Sequence, residues 1–145
     1  MTVTFFGHRD TPVGVKPLLK EVLTELIEND GACIFYIGNE GNFDWIVHDT
    51  LKELKSEYPF IEYKVVLAYL TKRKSDIKKF SPSETVYPEK LTKTPLRFAI
   101  AKRNRIMLNL ADTVVTYVRG PGGGAADFKR LAEDKGKRVI NLCKR

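Results

Sequence analysis

Consecutive glycines at 122, 123 and 124, followed by Ala125, break the apolar run DTVVTYV where a helical pattern begins. A strand ending in such a loop presents backbone N–H groups at a helix N-terminus, and the positive end of the macrodipole adds to them, which suits an anion such as a phosphate. A side chain there would hold phosphate oxygens off the backbone, and the turn calls for positive φ. The alternative is a plain strand-to-helix connection. Gly7, His8, Arg9 and Asp10 stand directly after the first apolar strand, a polar cluster at its carboxyl end. His8 is there either as a ligand contact or as a structural loop residue. Gly38-Asn39-Glu40-Gly41-Asn42 follows the second strand, and Asp44 lies just beyond it, either capping a helix or facing a ligand. Arg103 occupies an apolar helical stripe, three residues after Ile100 and four before Met107. A guanidinium in that position needs an anionic partner or a route for its head to reach solvent.

Positioning these groups falls to alternating strands and helices. Thr2 to Phe6 reads as a strand, and Leu18, Leu19, Val22, Leu23, Leu26 and Ile27 recur at helical spacing until Asn29-Asp30-Gly31. A second strand is predicted over 32–37 and a helix over about 43–57, with Phe43, Ile46, Val47, Leu51 and Leu54 on one face. A third strand spans 61–69. The next helix opens at Pro95 and places Leu96, Ile100, Met107 and Ala111 beside Arg103. A fourth strand over 113–118, a helix over 125–135 and a fifth strand over 138–142 complete the pattern. Such alternation predicts a Rossmann-like, doubly wound α/β fold, a mostly parallel five-stranded sheet in the order 3-2-1-4-5 with helices on both faces. The first and fourth strands are then neighbours at the topological switch point, and GHRD faces GPGGGA across one crevice. Between Thr71 and Thr94 the apolar pattern is lost among lysines and prolines, which suggests either a lid over that crevice or a mobile surface excursion.

At 145 residues the chain is read as one domain, 1–145. Its net charge of +7 is uneven: −6 over residues 1–63, +9 over 64–105 and +4 over 106–145. The basic middle either attracts phosphates or is a solvated lysine-rich face. Cys33 and Cys143 lie far apart in apolar runs and read as small hydrophobes; no CxxC or Cys/His cluster announces a metal. No apolar run approaches the roughly 20 residues of a membrane span, so a cytoplasmic protein with no membrane partner is expected.

FFGHRD, the GNEGNFD loop, RNRIMLNLADTVVTYV and the GGGA turn, taken in this order and spacing across nearly the whole chain, resemble the SLOG superfamily of Rossmann-like proteins, in particular its YpsA-like branch. That superfamily also holds LOG-type nucleotide phosphoribohydrolases and the DNA-binding DprA proteins. In the LOG-type enzymes an R-K-x-x-M stretch precedes the fourth strand and the turn reads P-G-G-x-G-T-x-x-E, its arginine and glutamate being implicated in cleaving an N-glycosidic bond. Here Arg103, Asn104 and Met107 match the first motif with the lysine replaced, and Pro121 to Lys129 match the second with lysine in place of the glutamate. A lysine cannot stabilise an oxocarbenium-like centre or activate water as a carboxylate does. Asp127, two positions earlier, points about 200° away around the helix.

The resemblance implies a protein that binds a nucleotide or an ADP-ribose- or NAD-like ligand at the carboxyl edge of the sheet, as a sensor or a sequestering protein. It implies phosphate contact at Gly122, Gly123, Gly124 and Ala125, cations from Arg9 and Arg103, and close approach at Gly7, Gly38 and Gly41. His8 and Asn104 would complete the site, with Asp44 on a ribose hydroxyl. No cofactor is firmly implied; ADP-ribose, NAD or a nucleoside monophosphate is the expected ligand, and a homo-oligomer is compatible with the chain. An enzyme reading, nucleotide N-glycosidase, would use Arg103 with Asp10, Asp44 or Asp127 as the carboxylate. A third reading, single-stranded nucleic-acid binding, rests on Phe80, Tyr87 and Phe98 interleaved among the middle lysines.

Overall fold

A computed structural model describes residues 1–69 and 81–144. Six strands form one sheet: β1 (Thr2–Gly7), β2 (Ile34–Ile37), β3 (Glu62–Val66), β4 (Thr85–Val86), β5 (Thr113–Tyr117) and β6 (Arg138–Asn141). Their order is β4-β3-β2-β1-β5-β6, and every pair is parallel. Apart from the added edge strand β4, this is the predicted topology. The helices are α1 (Lys16–Asp30), α2 (Asn42–Glu57), α3 (Leu96–Leu110) and α4 (Gly124–Asp134).

The alternation of side chains along β1 divides the core into two layers. Val3 and Phe5 join Phe35, Ile37, Val65 and Val115 beneath Leu19, Leu23, Phe43, Val47 and Leu51 of α1 and α2. Phe6 points to the other face, stacking on Phe128 of α4 near Met107 and Leu108 of α3 and Val114 of β5. Each fully buried Leu, Phe or Val contributes roughly 1.5–3 kcal/mol, so these layers hold the helices whose N-termini open at the carboxyl edge. α1 stops where Gly31 turns left-handed at φ 76°.

Two expectations need correction. Leu96 does not join the apolar stripe of α3; it is 73% exposed, and Ala99 takes the buried place in the first turn. The sheet has six strands because the second half of the basic stretch is built into it: Leu67 N–H bonds Val86 C=O (2.8 Å), β4 pairs with β3, and Leu91 is buried. Glu84 fastens this segment. Its carboxylate accepts hydrogen bonds from the Tyr63 hydroxyl (2.7 Å) and the Ser81 N–H (3.0 Å), and it lies 3.5 Å from His48 Nε2. Residues 71–80 of the expected lid lie outside the described residues.

Candidate functional site

The switch point forms where β1 runs between β2 and β5. At the carboxyl ends of these strands a cleft of about 310 Å³ is lined by Gly7, His8 and Arg9 after β1, Gly38, Glu40, Gly41 and Asp44 after β2, and Gly124 and Ala125 at the start of α4. Ile100, Arg103, Asn104 and Met107 of α3 close one side, and Phe5 and Phe6 form the floor. Ten of the residues singled out in the sequence therefore share one cavity. Gly122, Gly123, Asp10 and Asp127 do not line it.

The two outlying aspartates are engaged elsewhere. Asp10 is exposed and pairs with Arg119, whose hydrogen bond holds its carboxyl below the usual aspartate range. Asp127 pairs with Arg130 on the outer side of α4, in a groove shared with Ala101 and Arg105. Lys129 lies in a separate groove with Arg119, Pro121 and Arg130 and bonds Glu133 (2.6 Å). Gly123 sets the entry to α4: its φ of 97° is a backbone state that a side chain disfavours.

The glycines after β1 and β2 make room for the protein itself. A Cβ on Gly7 would fall 2.2 Å from the Phe43 ring, and one on Gly41 would fall 2.6 Å from Arg9 Cα. Those contacts bring the two loops together, and Asn42 N–H completes the junction by donating to Arg9 C=O (3.0 Å). At Gly38 a Cβ would lie 2.9 Å from Asp44 Oδ2 and 3.2 Å from Arg103 Cζ. The space freed by that glycine is taken by the Asp44 carboxyl and the Arg103 guanidinium.

Arg103 is the charged centre beneath the cleft, with only 2% of its side chain exposed. Its Nη1–H groups donate to Val66 C=O (3.0 Å) and Asn39 Oδ1 (3.1 Å), and Nε–H donates to Asn104 Oδ1 (2.8 Å). Glu40 Oε1 lies 3.6 Å from Nη1. Burial lowers the guanidinium pKa, while the Asp44 and Glu40 charges act to raise it. This side chain neither snorkels to solvent nor projects freely into the cleft: it ties α3 to the end of β3 and to the loop after β2.

Asp44, in the first turn of α2, accepts the Glu40 N–H on Oδ2 (2.8 Å) and also lines the cleft. Burial pushes its carboxyl above the ordinary aspartate range, against the opposing effects of that N–H and of Arg103. The imidazole of His8 is a strut: Nε2 accepts the Arg119 N–H (3.0 Å), and the ring meets Tyr117 edge-on, joining the loops after β1 and β5. Glu40 is the residue that the sequence reading passed over. Its signal was an acid between two glycines directly after the strand that neighbours β1. No group of three or more metal-ligating side chains occurs among the described residues. No described helix is long and apolar enough to cross a membrane.

The architecture matches that of DNA processing protein A (DprA) from Streptococcus pneumoniae, with a TM-score of 0.71 and 16% sequence identity over 95% of this chain. The chain spans 48% of the length of that protein. At this identity the likeness establishes a shared Rossmann-like fold. No protein-family profile matches the sequence, and no curated protein matches it.

Proposed function

We propose that the cleft binds a phosphorylated nucleoside, a nucleoside monophosphate or an ADP-ribose- or NAD-like molecule, and holds it without cutting it. The observation that carries this reading is the convergence, in one cavity at the switch point, of the α4 N-terminus at Gly124 and Ala125 with Arg9 and the polar loop after β2. The amides and Arg9 suit a phosphate, and the apolar floor of Phe5 and Phe6 suits a base or sugar face. The motifs resembling the YpsA-like branch agree with this ligand class. Binding without cleavage is favoured because Lys129 stands at the expected glutamate position and, of the three candidate carboxylates, Asp10 and Asp127 pair with arginines outside the cleft, leaving only Asp44, whose carboxyl is pushed up by burial and already accepts the Glu40 N–H. Isothermal titration with AMP, ADP-ribose and NAD tests the reading. Saturable binding of at least one supports it, and no heat from any of them at millimolar concentration overturns it.

A second reading, contact with single-stranded nucleic acid, is favoured by one feature of α3. Phe98 is 53% exposed with the Arg97 guanidinium 4.8 Å from its ring centroid, a pairing on which a base can stack. Oligonucleotide affinity that falls steeply with salt and is lost in Phe98→Ala supports it; salt-insensitive or undetectable binding removes it.

A further inference from the structure

We propose that the cavity on the far side of the glycine loop is a second anion site, suited to a compact polyphosphate group and distinct from the nucleotide cleft. Arg119, Lys129 and Arg130 line this cavity of about 280 Å³, which lies at the carboxyl ends of β5 and β6. Its described lining has no residue in common with that of the cleft, and it includes no acid. Lys129 is the most enclosed of the three cations, with 19% of its side chain exposed.

Each cation already has a carboxylate, but none of these carboxylates is among the residues lining the cavity. Asp10 pairs with Arg119, Asp127 with Arg130 and Glu133 with Lys129, and the acids are 72%, 65% and 49% exposed. Exposed pairs hold weakly, so a multiply charged anion can draw on the same cations at little cost. Donors are in surplus as well. A guanidinium carries five N–H donors and an ammonium three. Among the described residues the Arg119 side chain bonds Asp10, Arg130 bonds Pro121 C=O (2.8 Å) and Asp127, and Lys129 bonds Glu133, which leaves each with donors to spare.

The rest of the lining narrows the ligand class. Val118, Pro121 and Ala126 have no side-chain donor or acceptor, and Asn141 spends its amide on the Val118 N–H and C=O (3.0 Å each). Recognition therefore falls to charge, with no side chain left to read a base or a sugar. Two or three linked phosphates match these cations better than one does, and a cavity near the lower end of the roughly 300–1,000 Å³ range of ligand pockets suits a compact group.

The test is isothermal titration of the full chain with tripolyphosphate, pyrophosphate and inorganic phosphate at one fixed ionic strength, in wild type, Lys129→Gln, Arg119→Gln and Arg9→Gln. Tripolyphosphate is expected to bind most tightly and inorganic phosphate least. Lys129→Gln and Arg119→Gln should each weaken tripolyphosphate about tenfold, the loss of one charge-assisted contact, whereas Arg9→Gln, on the cleft, should change it less than about threefold. Weakening confined to Arg9→Gln assigns the anion to the cleft; it overturns the proposal and leaves the nucleotide reading standing. Absence of saturable tripolyphosphate binding to the wild-type chain at millimolar concentration also overturns it, whatever AMP does, and needs no variant to fold.

Discussion

Arg103 is the residue whose loss should be felt most. Removing a buried guanidinium leaves Val66 C=O and Asn39 without a donor and Glu40 without its counter-charge, a change that costs about 3–5 kcal/mol in comparable buried pairs. Arg103→Ala is therefore expected to lower unfolding free energy by about that amount in urea titrations. A drop under about 1 kcal/mol, the scale of an exposed pair, would show that the cleft floor is wetter than its burial indicates. Asp44 should behave in the opposite sense. Its folded pKa is raised by burial, so the protonated acid is the form that folding favours; its stabilising effect is complete at low pH and is lost as pH rises through the raised value. Asparagine keeps the acceptor for the Glu40 N–H and removes the buried charge. Asp44→Asn should accordingly melt a few degrees higher than wild type near pH 8, with little difference near pH 4, in a pH series of calorimetric scans. A variant that melts lower at both values would contradict this assignment.

The elements around the cleft carry their own tests. Gly7 ends β1 against the Phe43 ring, and a methyl group added there must displace α2 or strain the strand. Gly7→Ala should cost about 1–3 kcal/mol, as overpacking does, and weaken ligand binding together with stability because the loops after β1 and β2 move apart. At the sheet edge, burial works to raise the Glu84 carboxyl, but the Tyr63 hydroxyl, the Ser81 amide and His48 outweigh it and hold the pKa low. A depressed carboxyl stabilises the fold above its ordinary value of 4.5, and that contribution is lost as pH falls through the folded value. The difference in melting temperature between wild type and Glu84→Gln should thus narrow below about pH 4.5; a difference independent of pH would mean that packing, rather than charge, docks β4. These edge contacts also explain what the sequence concealed. β1, β2, β5 and the helices between them repeat apolar residues at periods that are legible locally, and the switch-point crevice follows from their order. β4 has only two paired residues, and its docking depends on Tyr63 and His48, which no local pattern connects to Glu84. Glu40 escaped for a related reason: a loop acid gains meaning only once Arg103, 63 positions later, is seen beneath it. The exposed start of α3 shows the converse, since Leu96 fits a stripe by spacing but lies on a turn that the core does not reach.

At the scale of the whole molecule the charge is divided much as the chain is. The acidic first part, −6 over residues 1–63, supplies Glu40 and Asp44, while most of the positive charge lies beyond it. A ligand that joins the two walls links early and late parts of the chain, so binding should stabilise the fold globally. At a hundredfold excess over Kd, mass action adds about 2.7 kcal/mol, which should appear as a rise of several degrees in melting temperature with AMP or ADP-ribose. A local effect, seen as slowed hydrogen exchange in the cleft loops with no change in melting, would argue against it. The same connectivity has a temporal side. β1 lies beside β5 in the register Val3↔Thr113, so the second strand to frame the cleft leaves the ribosome more than a hundred residues after the first. Until then the open edge of β1 and the Phe6 ring have no partner from β5 or α4. Parallel pairings of such separation are slow to close and expose apolar edges while they wait. The arrangement that creates one shared cleft thus also sets the moment at which the nascent chain is most prone to aggregate.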